Sequence, residues 1–166
     1  MPKNITPVVV SATTPEPLYL EDLRAGQRFT SGEYHMDEER MKAFAAEFDP
    51  QPFHLDETVA RHGIFGGLAA SGWHTAAATM RLVVTGGLLL ACGIIGLGGE
   101  IAWSKPTRPG DTLRVESEIL QISPSRSKPN CGVVSVRSVT VNQNGDQVQL
   151  LTAKLLVFKR AADPTQ

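Results

Sequence analysis

Cysteine is scarce in this chain of 166 residues: only Cys92 and Cys131 occur. Neither stands in a C-x-x-C pair or beside a histidine at ligand spacing, which excludes the common zinc frameworks. So few thiols give no disulfide scaffold and suit a reduced, cytoplasmic protein, with one bridge at most available. Charge of one sign is also lacking. Sixteen Lys and Arg face seventeen Asp and Glu, for a net charge of −1, and the two signs are mixed along the chain. That pattern leaves no electrostatic footprint for nucleic acid. Long apolar runs are few. Val8-Val9-Val10 is too short for the apolar region of a secretory signal, and residues 1–17 read as a mobile N-terminal arm. The stretch Leu82 to Leu97 is free of charge but is interrupted by Gly86, Gly87, Gly93 and Gly96. It is at the short end for a membrane span. It reads as a buried helix followed by a glycine-rich connection, so no membrane partner is expected.

What remains is the composition of an ordinary globular domain, 42% hydrophobic and 20% charged. No internal repeat is present, and one domain over residues 18–160 is expected, with 161–166 as a tail. Gln27 to Tyr34 reads as a strand. Asp37 is a candidate cap for a helix in which Met41, Phe44, Ala45 and Phe48 share one apolar face. Residues 49–71 form a long connection, with short helical turns expected near Asp56 to Arg61. A second helix, apolar nearly all round and so buried on several sides, is expected from Gly72 to Leu90, with Ser71 as its cap. Strands are expected over Glu100–Lys105, Thr112–Ser123, Gly132–Asn142 and Gln147–Lys159. Asn144-Gly145 signals a hairpin between the last two. A long apolar helix followed by four antiparallel strands makes an α+β fold, the sheet wrapping the helix.

The segment Asp49-Pro50-Gln51-Pro52-Phe53-His54 carries the chemistry. Two prolines fix their own φ, remove backbone donors and disfavour helix in the residues before them. A stiff, extended, non-helical loop is expected, holding Asp49 and His54 in a set relation. A carboxylate beside an imidazole can bind, orient and deprotonate one water. On spacing alone a second reading stands beside this one: Asp49 ends a helix and His54 is an ordinary surface histidine.

The same residues resemble the motif of the MaoC-like dehydratases, a family that includes the (R)-specific enoyl-CoA hydratases of the hotdog fold. That motif runs Asp, any residue, Asn, Pro, aliphatic, His. Here the spacing is intact, with Gln51 for Asn and Phe53 for the aliphatic residue. The resemblance continues through Ala70-Ser71-Gly72-Trp73-His74-Thr75, Trp103 to Asp111, and Ser125 to Pro129. It implies a hotdog fold and reversible hydration of a trans-2-enoyl-CoA by a water held between Asp49 and His54. It also implies that the backbone N–H of Gly72 serves as oxyanion hole. Gly72 stands at the expected start of a buried helix, where unpaired N–H groups and the helix dipole favour negative charge. Tight packing under Trp73 is the structural alternative for that glycine. Gln51, Phe53 and Ser71 are weaker candidates for binding substrate, and capping is the stronger expectation for Ser71. Arg61, Arg126 and Lys128 could meet the phosphates of coenzyme A. His62 and His74 are the remaining histidines near the site, and His74, one turn into the helix, is expected to be structural or near the surface. No metal or redox cofactor is implied, and a homodimer or higher even homo-oligomer is. Two other functions compete: a hotdog thioesterase and a non-catalytic acyl-CoA-binding subunit.

Overall fold

The computed structural model describes residues 16–161. The arm expected over residues 1–17 and the tail over 161–166 thus lie almost wholly outside the described residues. Five strands form one antiparallel sheet: β1 (Arg28–His35), β2 (Ile95–Ala102), β3 (Thr112–Pro124), β4 (Cys131–Val141) and β5 (Gln147–Phe158). Their order across the sheet is β1-β3-β4-β5-β2, which leaves β1 and β2 at the edges. Among the described residues four α-helices accompany them: α1 (Glu38–Phe48), α2 (Pro52–Leu55), α3 (Glu57–His62) and α4 (Gly72–Leu82).

Alternation in β3 shows why the sheet curls round α4. Leu113, Val115, Ser117 and Ile119 are buried, while Arg114, Glu116 and Glu118 point away from the core. Val134 and Val136 of β4 and Val148 and Leu155 of β5 join them against Ala78 and Leu82 of α4. Each fully buried aliphatic side chain of this kind contributes about 1.5–3 kcal/mol. The inner face is not wholly apolar. The Thr79 hydroxyl donates to the Thr75 carbonyl at 2.9 Å. Its lone pairs can then accept from Thr140 at 2.7 Å and from the Gln149 amide at 3.0 Å. Gln149, fully buried, accepts in turn from the Trp103 indole N–H at 3.0 Å. This chain of hydrogen bonds ties the central helix to the sheet and to the loop after β2.

Several expectations are corrected. The central helix does not run to Leu90. After Leu82 it widens into a π-helical turn, Val83–Gly87, which ends at the Gly86-Gly87 pair, where helical order is most weakly supported. Nor is it buried all round. Trp73, Met80 and Val84 are 60%, 45% and 43% exposed, because the sheet covers one side of the helix only. The strand expected over Glu100–Lys105 is Ile95–Ala102, displaced toward the glycines. Glycine is a poor strand former, yet here the backbone pairing demands it. A Cβ on Gly99 would stand 2.5 Å from the Thr152 carbonyl oxygen of β5. In α1, Asp37 caps as expected, accepting from the Arg40 N–H at 2.9 Å, and Met41 and Ala45 are buried. Phe48, however, is 63% exposed. The turn between β4 and β5 is longer than a two-residue hairpin. Only Gly145 has positive φ, and the Asn142 side chain accepts from the N–H groups of Asn144 and Asp146. Cys92 is exposed and Cys131 buried, both as free thiols. No helix among the described residues is long and apolar enough to cross a membrane.

Candidate active site

The Asp49–His54 segment is half of what its prolines suggest. Asp49, Pro50 and Gln51 are non-helical, but Pro52 opens the short helix α2, which carries Phe53 and His54. Proline suits the first helical position, where its fixed φ is already helical and its missing N–H is not needed. The chain thus turns at Gln51 and folds His54 back toward Asp49. Asp49 Oδ2 and His54 Nε2 are 3.3 Å apart. His54 is only 5% exposed, which overturns the reading of it as a surface histidine.

Two neighbours grip the Asp49 carboxylate. The Ser71 hydroxyl donates to Oδ2 at 2.6 Å, and the Gln51 amide donates to Oδ1 at 2.6 Å. Ser71 also accepts from the Trp73 N–H at 3.2 Å, so the residue that caps α4 holds the carboxylate as well. The Ser71 hydrogen bond is the main cause that lowers the Asp49 pKa below the ordinary carboxylate value, aided by Gln51 and the nearby imidazole and opposed by partial burial. Asp49 is therefore ionised at neutral pH.

Replacing Ser71 by Ala removes that main cause, and the Asp49 pKa rises. A reaction that needs the carboxylate then loses rate at higher pH than the wild type does, seen as an upward shift in the acid limb of kcat against pH. The stability signs follow from linkage. A lowered carboxylate pKa adds stability above the unfolded value, about 3.9. That contribution is lost as pH falls through the folded value. Ser71→Ala should thus melt below wild type at pH 7, by roughly 1 kcal/mol from the lost cap alone. The gap should narrow in acid. A gap independent of pH would show that Ser71 does not act on Asp49.

The imidazole is held from its other side. Nδ1 lies 2.8 Å from the carbonyl oxygen of Ala69. A carbonyl only accepts, so Nδ1 carries a hydrogen and Nε2 is the atom turned to Asp49. The rings of Phe53 and Phe65 pack on this imidazole with centroids 4.6 and 6.3 Å away. Ala69 belongs to the buried segment Leu68–Ser71 that leads into α4. At the start of that helix, the Gly72 N–H has no acceptor among the described residues. Its missing side chain admits Trp103, since a Cβ there would meet the indole at 2.6 Å. The packing partner is thus Trp103 rather than Trp73.

These groups open on one cleft of about 460 Å³, which Asp49, His54 and Gly72 line together. Phe53, Phe65, Trp73 and Trp103 supply apolar wall, while Gln51, Ser104 and Lys105 supply polar edge. Lys105 is paired with Asp146 at 2.5 Å. An ionised carboxylate, an imidazole nitrogen of defined tautomer and an unpartnered backbone N–H on one cleft can activate water next to a polarised carbonyl.

A family model described as "MaoC like domain" matches residues 23–142. The chain belongs to the MaoC-like dehydratase family. The structure of a MaoC-like dehydratase from Rhodospirillum rubrum superposes with a TM-score of 0.86 at 59% identity, covering 87% of this chain and 99% of that one. An unliganded (R)-hydratase from Pseudomonas aeruginosa superposes with a TM-score of 0.69 at 26% identity, covering 90% and 96%. The uncharacterized protein YdeM of Bacillus subtilis (strain 168) is 32% identical over 140 residues, 84% of this chain and 96% of YdeM. A mesaconyl-CoA hydratase from Cereibacter sphaeroides is 41% identical over 61 residues, but these make up only 18% of that protein. The fold is the hotdog fold of this family.

Other candidates fall outside this MaoC-like cleft. His62 is exposed at the end of α3, and Arg61 pairs with Glu57 at 2.7 Å. Arg126 and Lys128 are exposed in the turn after β3, at the opposite end of that strand from the Thr107–Asp111 corner beside the cleft. His74 is buried and stacked on Phe44 with centroids 4.7 Å apart. Burial lowers its pKa, and its Nδ1 has no partner. Residues 82–90 furnish core rather than cleft wall. The sequence reading missed Phe65, Ala69, Trp103 and Lys105. Trp103 and Lys105 stood within a segment of resemblance, but nothing in their spacing marks them as lining a cleft.

Proposed function

We propose that this protein is an enoyl-CoA hydratase, acting in reverse as a 3-hydroxyacyl-CoA dehydratase. The observation that carries the reading is the meeting of Asp49, His54 Nε2 and the unpartnered Gly72 N–H on one cleft. A water held between Asp49 and His54 gives a proton to the Asp49 carboxylate as its oxygen bonds the β-carbon of the enoyl thioester. Electrons shift toward the thioester oxygen, where the Gly72 N–H and the N-terminal dipole of α4 stabilise the developing enolate. The enolate then takes a proton at the α-carbon from the Asp49–His54 pair, on the face that water attacked, and both residues return to their starting state. Syn addition follows from delivery and return by the same pair. The scheme uses protein groups and water alone. Gln51 and Ser71 hold Asp49, and Phe53 bounds the cleft beside the reacting atoms.

A coenzyme A thioester is the proposed substrate, and a reduced, cytoplasmic setting goes with it. A homodimer or higher even oligomer fits the apolar residues left exposed on α4, on the π-helical turn after it and on edge strand β2, among them Met80, Val84, Ile95 and Leu97. The test is loss of enoyl absorbance across short, medium and branched trans-2-enoyl-CoA thioesters, with free thiol assayed in parallel. Hydration without thiol release is the expected result. Thiol release without hydration would move the assignment to a thioesterase, and binding without turnover would move it to an acyl-CoA-binding subunit.

A further inference from the structure

Arg108 lies in the connection between β2 and β3, and its guanidinium is spent on main-chain carbonyls. One terminal nitrogen donates to Gly67 O at 2.9 Å and to Leu68 O at 3.1 Å, and the other donates to Phe65 O. Three carbonyls of one short segment can converge on one cation only if the backbone turns sharply. Gly66, at φ +61°, permits this, in a region that side chains disfavour. Arg108 is itself anchored. Its own N–H donates to Asp111 Oδ2 at 2.8 Å, and Asp111 Oδ1 accepts from Gln143 at 3.0 Å.

The geometry points to Arg108 as the positioning residue for His54. The link is the backbone of Ala69. The Leu68 carbonyl and the Ala69 N–H share one peptide plane, and the Ala69 carbonyl and the Ala70 N–H share the next. Arg108 holds the first plane through Leu68 O. Thr107, its neighbour, holds the second by accepting from the Ala70 N–H at 2.9 Å. With both planes tied, the Ala69 carbonyl can aim only one way, and it accepts from His54 Nδ1 at 2.8 Å. That bond keeps the hydrogen on Nδ1 and turns Nε2 to Asp49. The same clamp places Phe65, whose ring packs on Phe53 at 5.2 Å and covers the imidazole. Arginine suits the task because its planar fork reaches several acceptors at once and never loses its charge. Arg108 acts through the loop and touches no reacting atom.

This inference rests on the reading of His54 as a reacting group, so its test has a readout besides turnover. With nitrogen-15-labelled histidine, two-bond proton–nitrogen correlations report the tautomer of each ring. At about pH 8, where an ordinary imidazole is neutral, wild-type His54 should show a single form with the hydrogen on Nδ1. Arg108→Met should show a mixture of both tautomers. In the hydration assay it should lose about tenfold to a hundredfold in kcat, the cost of a misplaced reacting group. KM should change by less than about threefold, because no bond to substrate is lost. If Arg108→Met does not fold, Arg108→Lys is read in the same way. Lysine keeps the cation but not the fork, so an intermediate rate and a mixed tautomer are expected. A single Nδ1–H form in the folded variant, or an unchanged kcat, would overturn the inference. Should wild type hydrate no thioester, the proposed reaction fails, and the tautomer measurement alone still decides whether Arg108 sets the ring.

Discussion

Asp49→Asn should leave a folded protein that has lost about 10²- to 10⁴-fold in kcat for enoyl thioester hydration, the range that one general base supplies. The amide has nearly the shape of the carboxylate but cannot take a proton from water. Its oxygen can still accept from the Ser71 hydroxyl, in place of the 2.6 Å bond that Asp49 Oδ2 makes. Its nitrogen would then face Gln51, whose own amide can turn over and offer its oxygen. The α4 cap is therefore kept, since Ser71 continues to accept from the Trp73 N–H. Melting temperature should move by only a few degrees. KM should change far less than kcat, because in the proposed reaction the residue meets water rather than the acyl group or its carrier. Steady-state kinetics beside a thermal melt make the comparison. Turnover within about threefold of wild type would remove Asp49 from the mechanism and leave it as the partner of Ser71.

His54→Ala should be as severe in rate and harsher in stability. In the proposed reaction the imidazole supplies the nitrogen that faces the held water, so a loss of about 10²- to 10⁴-fold is expected again. Here the site is also emptied. The ring is 5% exposed and packed against Phe53 and Phe65, and its removal leaves the Ala69 carbonyl without its partner. An abandoned buried acceptor costs about 1–3 kcal/mol. The variant should melt earlier but in one sharp transition, with native circular dichroism at room temperature. Those two results together would assign His54 a chemical role. A broad, collapsed transition with no native spectrum would instead show that the ring serves the fold. His54→Gln keeps a donor for the Ala69 carbonyl. It should recover stability without recovering rate, which separates the two effects.

How far the site could be read in advance depended on the kind of group involved. Asp49 and His54 were legible as a candidate pair because prolines at 50 and 52 restrict the chain between them, although those prolines suggested an extended loop and Pro52 instead opens α2. Ser71 was legible as a cap because a hydroxyl before a helix start has a local partner. Its bond to Asp49 was not, since 22 residues separate the two and only the fold brings them together. The Ala69 carbonyl that orients the imidazole carries no signature at all: every residue has a carbonyl, and side-chain identity does not say where it points. Arg108 was invisible as a clamp for the same reason. Its three acceptors are backbone atoms some forty positions away. The misplaced β2 has a different cause. Local propensity speaks against a strand at Gly96 to Gly99, and close pairing with β5 overrules it.

The sequence by itself determined the α+β class, the cap at Asp37, the alternating strands from Thr112 onward, and the nearness along the chain of a carboxylate and an imidazole. All of these rest on interactions within a few residues, or on periodicities that local sterics impose. Tertiary structure decided the rest. It chose which imidazole nitrogen faces Asp49, joined the helix cap to the carboxylate and set Trp103 over Gly72. It also left one side of the central helix uncovered. Each of these depends on where distant backbone segments come to lie, and their positions are set by packing of the whole sheet around α4 rather than by any residue's own preference.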